Sequence, residues 1–113
     1  MLESRLGVRD SEAMAQTSAQ RPRAVPTVRI DNDRVRVTEW CFVPGAATGW
    51  HRHEYDYVVV PLTTGSLRLE EAGGERTAAL SSGIPYFRTA GVEHDVVNAN
   101  DFDFAFVEIE LKP

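Results

Sequence analysis

The sequence predicts an all-β fold of the sandwich, jelly-roll or barrel type. From Thr27 onward, apolar and polar residues alternate with the period of two that is typical of strands. Turns that contain glycine or proline interrupt the alternation at short intervals, and residues 25–113 hold no segment of ten or more residues with a helical period. Many short strands with frequent turns indicate sheets that pack face to face or close on themselves.

The first predicted strand covers the alternating segment 34–38 and continues through the apolar residues 40–43 to a turn at Pro44-Gly45. The apolar parity changes near Glu39, which indicates either a β-bulge or a strand buried on both faces. The next strand is the run 57–60, whose β-branched residues are typical of a buried strand.

Four shorter features complete the order of elements. Residues 66–70 alternate, and the Gly73-Gly74 pair ahead of residues 76–78 predicts a hairpin turn. Tyr86-Phe87 follows a glycine and a proline, and residues 95–98 form a further short strand. Each of these segments has a length expected of one strand in a small β-domain.

The last strand is apolar on both faces. Phe102, Phe104 and Phe106 share one face, whereas residues 107–111 place their apolar side chains on the opposite parity. In so small a protein, the second apolar face predicts contact with another subunit, and we therefore expect a homodimer.

The chain divides near Val25. Residues 1–24 are rich in Ala, Ser and Gln, contain no aromatic residue and end in Arg21-Pro22-Arg23. Such a segment buries too little apolar surface to offset its ordering entropy, so we predict a flexible arm, disordered or swapped onto a partner. Residues 25–113 form one domain. Met14 is an alternative start of translation.

Composition excludes several classes of function. The net charge of −5 argues against nucleic acid, which requires basic patches. No apolar run approaches the roughly 18–20 residues of a membrane span, and the first residues lack the apolar core of a secretory signal. We expect a cytoplasmic protein. Cys41, the single cysteine, excludes an internal disulfide and is expected to be a small buried residue.

The three histidines are the candidate chemical site. His51 and His53 lie two residues apart, so in a strand their side chains share one face. His94 begins another alternating stretch and completes a set of three if its strand lies beside the first. Imidazole is the commonest side-chain ligand of Zn, Fe, Cu and Ni, which suggests a mononuclear site with open positions. Taken alone, a His-x-His pair is more often a surface feature or part of a hydrogen-bond network than a metal site.

The residues around the histidines resemble the two sequence motifs of the cupin superfamily. The matching positions are Gly45, His51, His53, Gly65, Gly83, Gly91, His94 and Asn98. The resemblance implies a cupin double-stranded β-helix, a jelly-roll barrel, that binds one divalent transition metal per chain through His51, His53 and His94. The segments around the histidines also resemble the small single-domain, cupin 2-like proteins linked to β-alanine degradation.

Two positions depart from the cupin motifs. Thr89 replaces a proline, which changes little. The glutamate that serves as a ligand in the family falls on Val58 or Tyr57, neither of which is a carboxylate. Asp56 shares the parity of Val58 and is either a substitute ligand or a solvated loop residue. Three neutral imidazoles disfavour Mg²⁺ and Mn²⁺ and leave Fe(II), Ni, Zn or Cu; with Fe(II), the site is similar to the three-histidine centre of thiol dioxygenases.

Two further residues are candidates for contact with substrate. The Tyr57 phenol either forms a hydrogen bond to a small ligand or fills the barrel. Arg88 either binds a substrate carboxylate or faces water, and the same two alternatives apply to Arg68. The resemblance implies an Fe(II) dioxygenase-like enzyme acting on a small polar or acidic metabolite. The alternatives are a non-catalytic module that binds a small molecule or a metal, and a cupin without metal.

Overall fold

A computed structural model describes residues 21–113, in which all helix or strand structure is β. The strands of this region are β1 Val25–Asp31, β2 Val35–Phe42, β3 His51–Arg52, β4 Asp56–Pro61, β5 Gly65–Glu71, β6 Gly74–Leu80, β7 Tyr86–Arg88, β8 Glu93–Asn98 and β9 Phe104–Leu111. The prediction of an all-β chain is therefore confirmed.

The strands form two antiparallel sheets that enclose the core. One has the order β1-β2-β9-β4-β7 and the other the order β3-β8-β5-β6. Non-consecutive neighbours such as β9 with β4 and β8 with β5 give the crossed connections of a jelly roll. The core between the sheets consists of buried side chains from both, namely Phe42, Tyr57, Val59, Leu67, Leu69, Val96, Phe104 and Phe106.

The parity change near Glu39 does not produce a bulge in β2. This strand pairs with β9 without a break from Val35 to Phe42, and the register shift lies in β1 instead, between Val28 and Ile30. β2 lies between β1 and β9 and is at least partly buried at most positions, so the alternative of a strand buried on both faces describes it. Cys41 corrects another expectation, because it is exposed on the face of β2 opposite Trp40 and Phe42.

The packed domain begins before Val25. Ala24 is buried, and its amide donates to Ala47 O at 2.9 Å. Arg21 binds the Glu70 carboxylate at 2.8 Å and lies 3.4 Å from that of Asp95. Four residues assigned above to the arm therefore pack on the barrel, because these backbone and ionic contacts hold them there. The rest of that predicted arm, residues 1–20, with Met14, lies outside the described residues.

Within residues 21–113, the structure has no helix that is long and apolar enough to span a membrane.

Candidate metal centre

The fold brings the three predicted histidines together. β3 pairs with β8 so that His51 lies opposite His94, and His53 follows β3 directly. The Nε2 atom of His53 lies 3.1 Å from that of His51 and 3.2 Å from that of His94. His53 and His94 are buried, and His51 is half-buried.

Backbone contacts of the two flanking loops position these side chains. The Gly91 amide donates to His53 O at 2.8 Å, and the His53 amide donates to Val92 O at 2.9 Å. Gly91 has a φ of +98°, a conformation that other residues rarely adopt, which explains a glycine at this point. On the other side, the Gly49 amide donates to the Asp95 carboxylate at 3.0 Å and ties the loop before His51 to β8.

A hydrogen bond at the far nitrogen fixes the tautomer of the His51 ring. His51 Nδ1 lies 2.8 Å from Gly49 O, a carbonyl that can only accept, so Nδ1 carries the proton. His53 Nδ1 lies 3.4 Å from the Glu108 carboxylate, a contact that favours the same tautomer when Glu108 is ionised. With Nδ1 of both rings protonated, the two Nε2 atoms, 3.1 Å apart, would direct their lone pairs at a shared cation.

A proton is a poor candidate for this cation near neutral pH. Burial, followed by the charges of neighbouring groups that include Arg88, lowers the pKa of His53 to about 3 and that of His94 to about 4. The Nε2 separations fit a metal instead, because two nitrogens that each lie ~2.0–2.2 Å from one ion are roughly 2.8–3.6 Å apart at octahedral to tetrahedral angles. The three histidines are positioned to bind a metal ion.

The histidines open onto a narrow cavity between the sheets. Its volume is about 20 Å³, room for one water-sized species. Tyr57 lines this cavity with its ring stacked on His53, at 3.8 Å between ring centroids, and its hydroxyl is buried without a partner among the described residues. Burial raises the pKa of this phenol, so it stays protonated. Tyr57, and not Val58, therefore faces the site at the position of the missing glutamate.

Asp56 does not lie with the histidines. It is exposed, and its Oδ1 accepts a hydrogen bond from the Ala90 amide at 2.8 Å. Val58 shares its parity, opposite to that of the buried Tyr57 and Val59. Asp56 is therefore a solvated carboxylate, as the second alternative has it, although it begins β4 and does not lie in a loop. No carboxylate from β4 approaches the Nε2 atoms.

Arg88 lies opposite Tyr57 on the neighbouring strand and is half-buried. It lines a cleft of about 340 Å³ between β6 and β7, and this cleft shares Leu69 and Tyr86 with the histidine cavity. Its guanidinium is 3.9 Å from the Glu71 carboxylate. Arg68 lies outside both cavities.

Sequence reasoning missed Glu108, which lines the histidine cavity from β9. This carboxylate is 8% exposed and accepts a hydrogen bond from Trp40 Nε1 at 3.1 Å. Burial raises its pKa to about 7. The available signal was the alternation of Phe104 and Phe106, whose parity continues inward to Glu108.

The chain is similar to proteins whose names identify its family, although no protein-family model matches it. It is 61% identical over 92 residues to the β-alanine degradation protein BauB of Pseudomonas aeruginosa, a match that covers 81% of this chain and 97% of BauB. A cupin domain from Bordetella pertussis Tohama I is 60% identical, with a TM-score of 0.82 over 83% of this chain and 98% of that one. The chain is a small cupin of the BauB family.

The cupin fold extends to more distant structures. A double-stranded β-helix protein of Klebsiella pneumoniae has a TM-score of 0.66 over 96% of this chain and 90% of its own, at 20% identity. At that identity the likeness concerns the fold alone. The expectation of a small cupin similar to those linked to β-alanine degradation is confirmed.

Proposed function

We propose that this cupin is a metal-dependent enzyme that acts on a small polar or acidic metabolite. The observation that carries the proposal is the convergence of ring nitrogens at one point, where the Nε2 atoms of His51 and His53 lie 3.1 Å apart. His94 adds a third nitrogen to the same point. Ring nitrogens this close together cost free energy unless an ion binds between them. Such a cost is expected where ligand binding, and not folding, has selected the residues.

The proposed ligands are His51, His53 and His94, and Fe(II) is the favoured metal, with Ni, Zn or Cu as alternatives. Neutral nitrogen donors without a carboxylate suit these ions better than Mg²⁺ or Mn²⁺. Bound there, the metal would supply Lewis acidity and, as iron, the reducing electrons of dioxygenase-like chemistry.

Tyr57 and Arg88 are the proposed substrate contacts. The buried Tyr57 hydroxyl has no partner among the described side chains and can donate a hydrogen bond into the cavity. The histidine cavity, of about 20 Å³, has room for one water-sized group, so the proposed place of the substrate carboxylate is the neighbouring cleft, where Arg88 offers a two-pronged donor. The Tyr57 proton and the Arg88 charge would orient an acid between cleft and cavity.

The likeness to BauB supports a role in β-alanine or related amino-acid catabolism. Such a role fits a cytoplasmic enzyme, which stays a prediction.

The test uses protein purified without a histidine tag or added metal. We expect close to one transition metal per chain by elemental analysis, and O₂ uptake by the iron-loaded protein with short amino or thiol acids. Loss of both properties in His51→Ala, with retained folding by circular dichroism, would support the proposal. Full metal content in a variant that carries both His51→Ala and His94→Ala would refute it.

The small volume of the cavity favours one alternative, a non-catalytic module that binds a small molecule or a metal. A tightly bound acid without turnover in the same assay would identify this function.

We also propose a homodimer. One row of apolar side chains crosses the outer face of the five-stranded sheet through paired positions of all its strands: Ile30, Val37, Ile109, Val58 and Phe87. Ile30 is 49% exposed and Phe87 is 55% exposed, so the row is open to a partner.

We expect Phe87→Glu to halve the mass measured by light scattering, whereas Ile84→Glu, at an exposed loop position, does not. A monomeric wild type at micromolar concentration would refute the proposal.

A further inference from the structure

We propose that Glu108 is the counter-carboxylate of the metal centre. It orients the His53 ring and supplies, across that ring, the negative charge that the ligand set itself lacks. This inference rests on the metal site proposed above. Glu108 is a positioning residue in this role, since it acts on the metal through His53.

The strand alternation brings Glu108 to the site. β9 lies between β2 and β4 at the centre of its sheet, and its buried side chains Phe104, Phe106 and Glu108 point between the sheets. The first two pack in the core, whereas Glu108 occupies the end of the barrel where the histidines converge. A polar residue on this face is therefore explained by the site and not by packing.

Each carboxylate oxygen of Glu108 has one neighbour. Oε1 accepts the indole N–H of Trp40 at 3.1 Å, which fixes the side chain from β2. Oε2 is left to face His53 Nδ1 at 3.4 Å. His53 is thus held at one nitrogen by Glu108 and on its face by Tyr57, whose ring lies at 15° to it. These two contacts restrict the orientation in which the ring presents its Nε2 atom to the site.

The charge of Glu108 has no partner among the lysines and arginines of residues 21–113. Its nearest basic group there is His53, which carries no charge as a neutral ring. Other acidic residues pair with arginine, as Glu70 on β5 does with Arg21 and Glu110 on β9 itself does with Arg36. A buried carboxylate without a cation is costly, and a divalent ion on the opposite nitrogen of His53 would compensate it.

This arrangement makes up for the absent glutamate ligand. A carboxylate bonded to the far nitrogen of a histidine ligand orients the ring and increases its basicity. Because the charge acts through the ring, the coordination positions that a glutamate ligand would fill stay free for substrate. The structure thereby combines an anionic environment with an open ligand set.

The experiment compares Glu108→Gln with Glu110→Gln. Glu110 lies two residues further on the same strand and pairs with Arg36 at 3.8 Å, so it is a matched control. Cobalt(II) affinity is measured at pH 8 by competition with a chelator. We expect Glu108→Gln to bind cobalt about 10–100-fold more weakly, with a shifted visible spectrum, and Glu110→Gln to stay within about 2-fold of wild type.

A second readout does not depend on metal. In ¹⁵N-labelled apoprotein, the proton of neutral His53 should lie on Nδ1 in the wild type and distribute over both nitrogens in Glu108→Gln. Trp40→Phe removes the anchor but keeps the carboxylate, so it should weaken cobalt binding by a few-fold even if Glu108→Gln fails to fold. Wild-type cobalt affinity and spectrum in Glu108→Gln or, where that variant does not fold, in Trp40→Phe would overturn the inference, whereas absence of cobalt binding in the wild type would refute the metal site itself.

Discussion

Two buried polar residues of strand β8 differ in how they are satisfied. His94 and Asn98 lie on the same face, four residues apart, and are 4% and 1% exposed. The Asn98 amide donates to the carbonyls of Phe42, Val43 and Phe102, at 2.9–3.3 Å. Its Oδ1 accepts hydrogen bonds from the neighbouring Asn100. The protein alone completes every bond of Asn98.

His94 is left incomplete by the same fold. Its Nδ1 has no partner among the described residues, and its Nε2 faces that of His53. Unsatisfied buried polar groups are rare in native structures and call for an explanation. The comparison indicates that Asn98 belongs to the stability of the barrel, whereas His94 depends on a species that the protein binds. Variants at these positions and at their neighbours test this distinction.

The largest expected effect is on metal affinity in His94→Leu. Removal of one of three donors should weaken binding by at least about 100-fold, because two imidazoles hold a transition metal poorly. Stability of the apoprotein should be equal or slightly higher, since a partnerless ring is replaced by an apolar group of similar size. Chelator competition and urea unfolding of the apoprotein measure the two effects. Strong destabilisation of the apoprotein would assign His94 to the structural class.

The converse is expected of Asn98→Leu. Loss of the amide leaves the Phe42 and Phe102 carbonyls without this donor and the Asn100 donors without their acceptor. The free energy of unfolding should therefore fall by about 3 kcal/mol. Metal affinity per folded molecule should stay within about 3-fold of wild type, because Asn98 contacts none of the histidines. Urea unfolding and metal titration of the same sample separate these outcomes. A variant of unchanged stability would contradict the structural role of Asn98.

Acid should weaken the apoprotein through the histidines. Burial lowers the pKa of His53 to about 3 and that of His94 to about 4, below the ordinary 6.5. Their stabilising effect is complete above pH 6.5 and is lost as the pH falls toward these values, because the unfolded chain binds the protons. We expect a loss on the order of a few kcal/mol between pH 7 and 4, by urea unfolding. The His94→Leu variant should lose less.

Glu108 should have the opposite effect on apoprotein stability, which it should lower as the pH rises from 5 to 8. Its pKa is raised from 4.5 to about 7 by burial, so its contribution to stability is complete below pH 4.5 and is lost as the pH rises through 7. The apoprotein should therefore weaken by about 1–3 kcal/mol between pH 5 and 8 relative to Glu108→Gln. Equal slopes of stability against pH in both proteins would contradict this prediction.

The fold and the histidines could be predicted because both depend on local spacing. The period of two identifies strands, and residues at i and i+2 share a face wherever the strand lies. The role of Glu108 could not, because it depends on the pairing of β9 with β2 and β4, which brings Trp40 and the histidines to one carboxylate. The inward orientation of Tyr57 in place of Val58 likewise depends on which face of the sheet turns toward the core. The exposure of Cys41 depends on the same choice.

The smallest expected effect lies at Asp95, which is next to His94 on β8. Its carboxylate accepts the Gly49 amide and lies 3.4 Å from Arg21 at the edge of the barrel. Asp95→Asn keeps an acceptor for Gly49 and removes a partly exposed ion pair, so it should cost about 0.5 kcal/mol with no change in metal affinity.

Asp95→Ala should differ, because the loop whose Gly49 carbonyl orients His51 loses its tether. We expect a further loss of about 1 kcal/mol and metal binding weaker by about 2–5-fold. The comparison of the two variants by urea unfolding and chelator competition separates the hydrogen bond from the charge. Equal metal affinity in both variants would show that His51 is oriented without this tether. Asp95 would then have no part in metal binding, although it is next to His94.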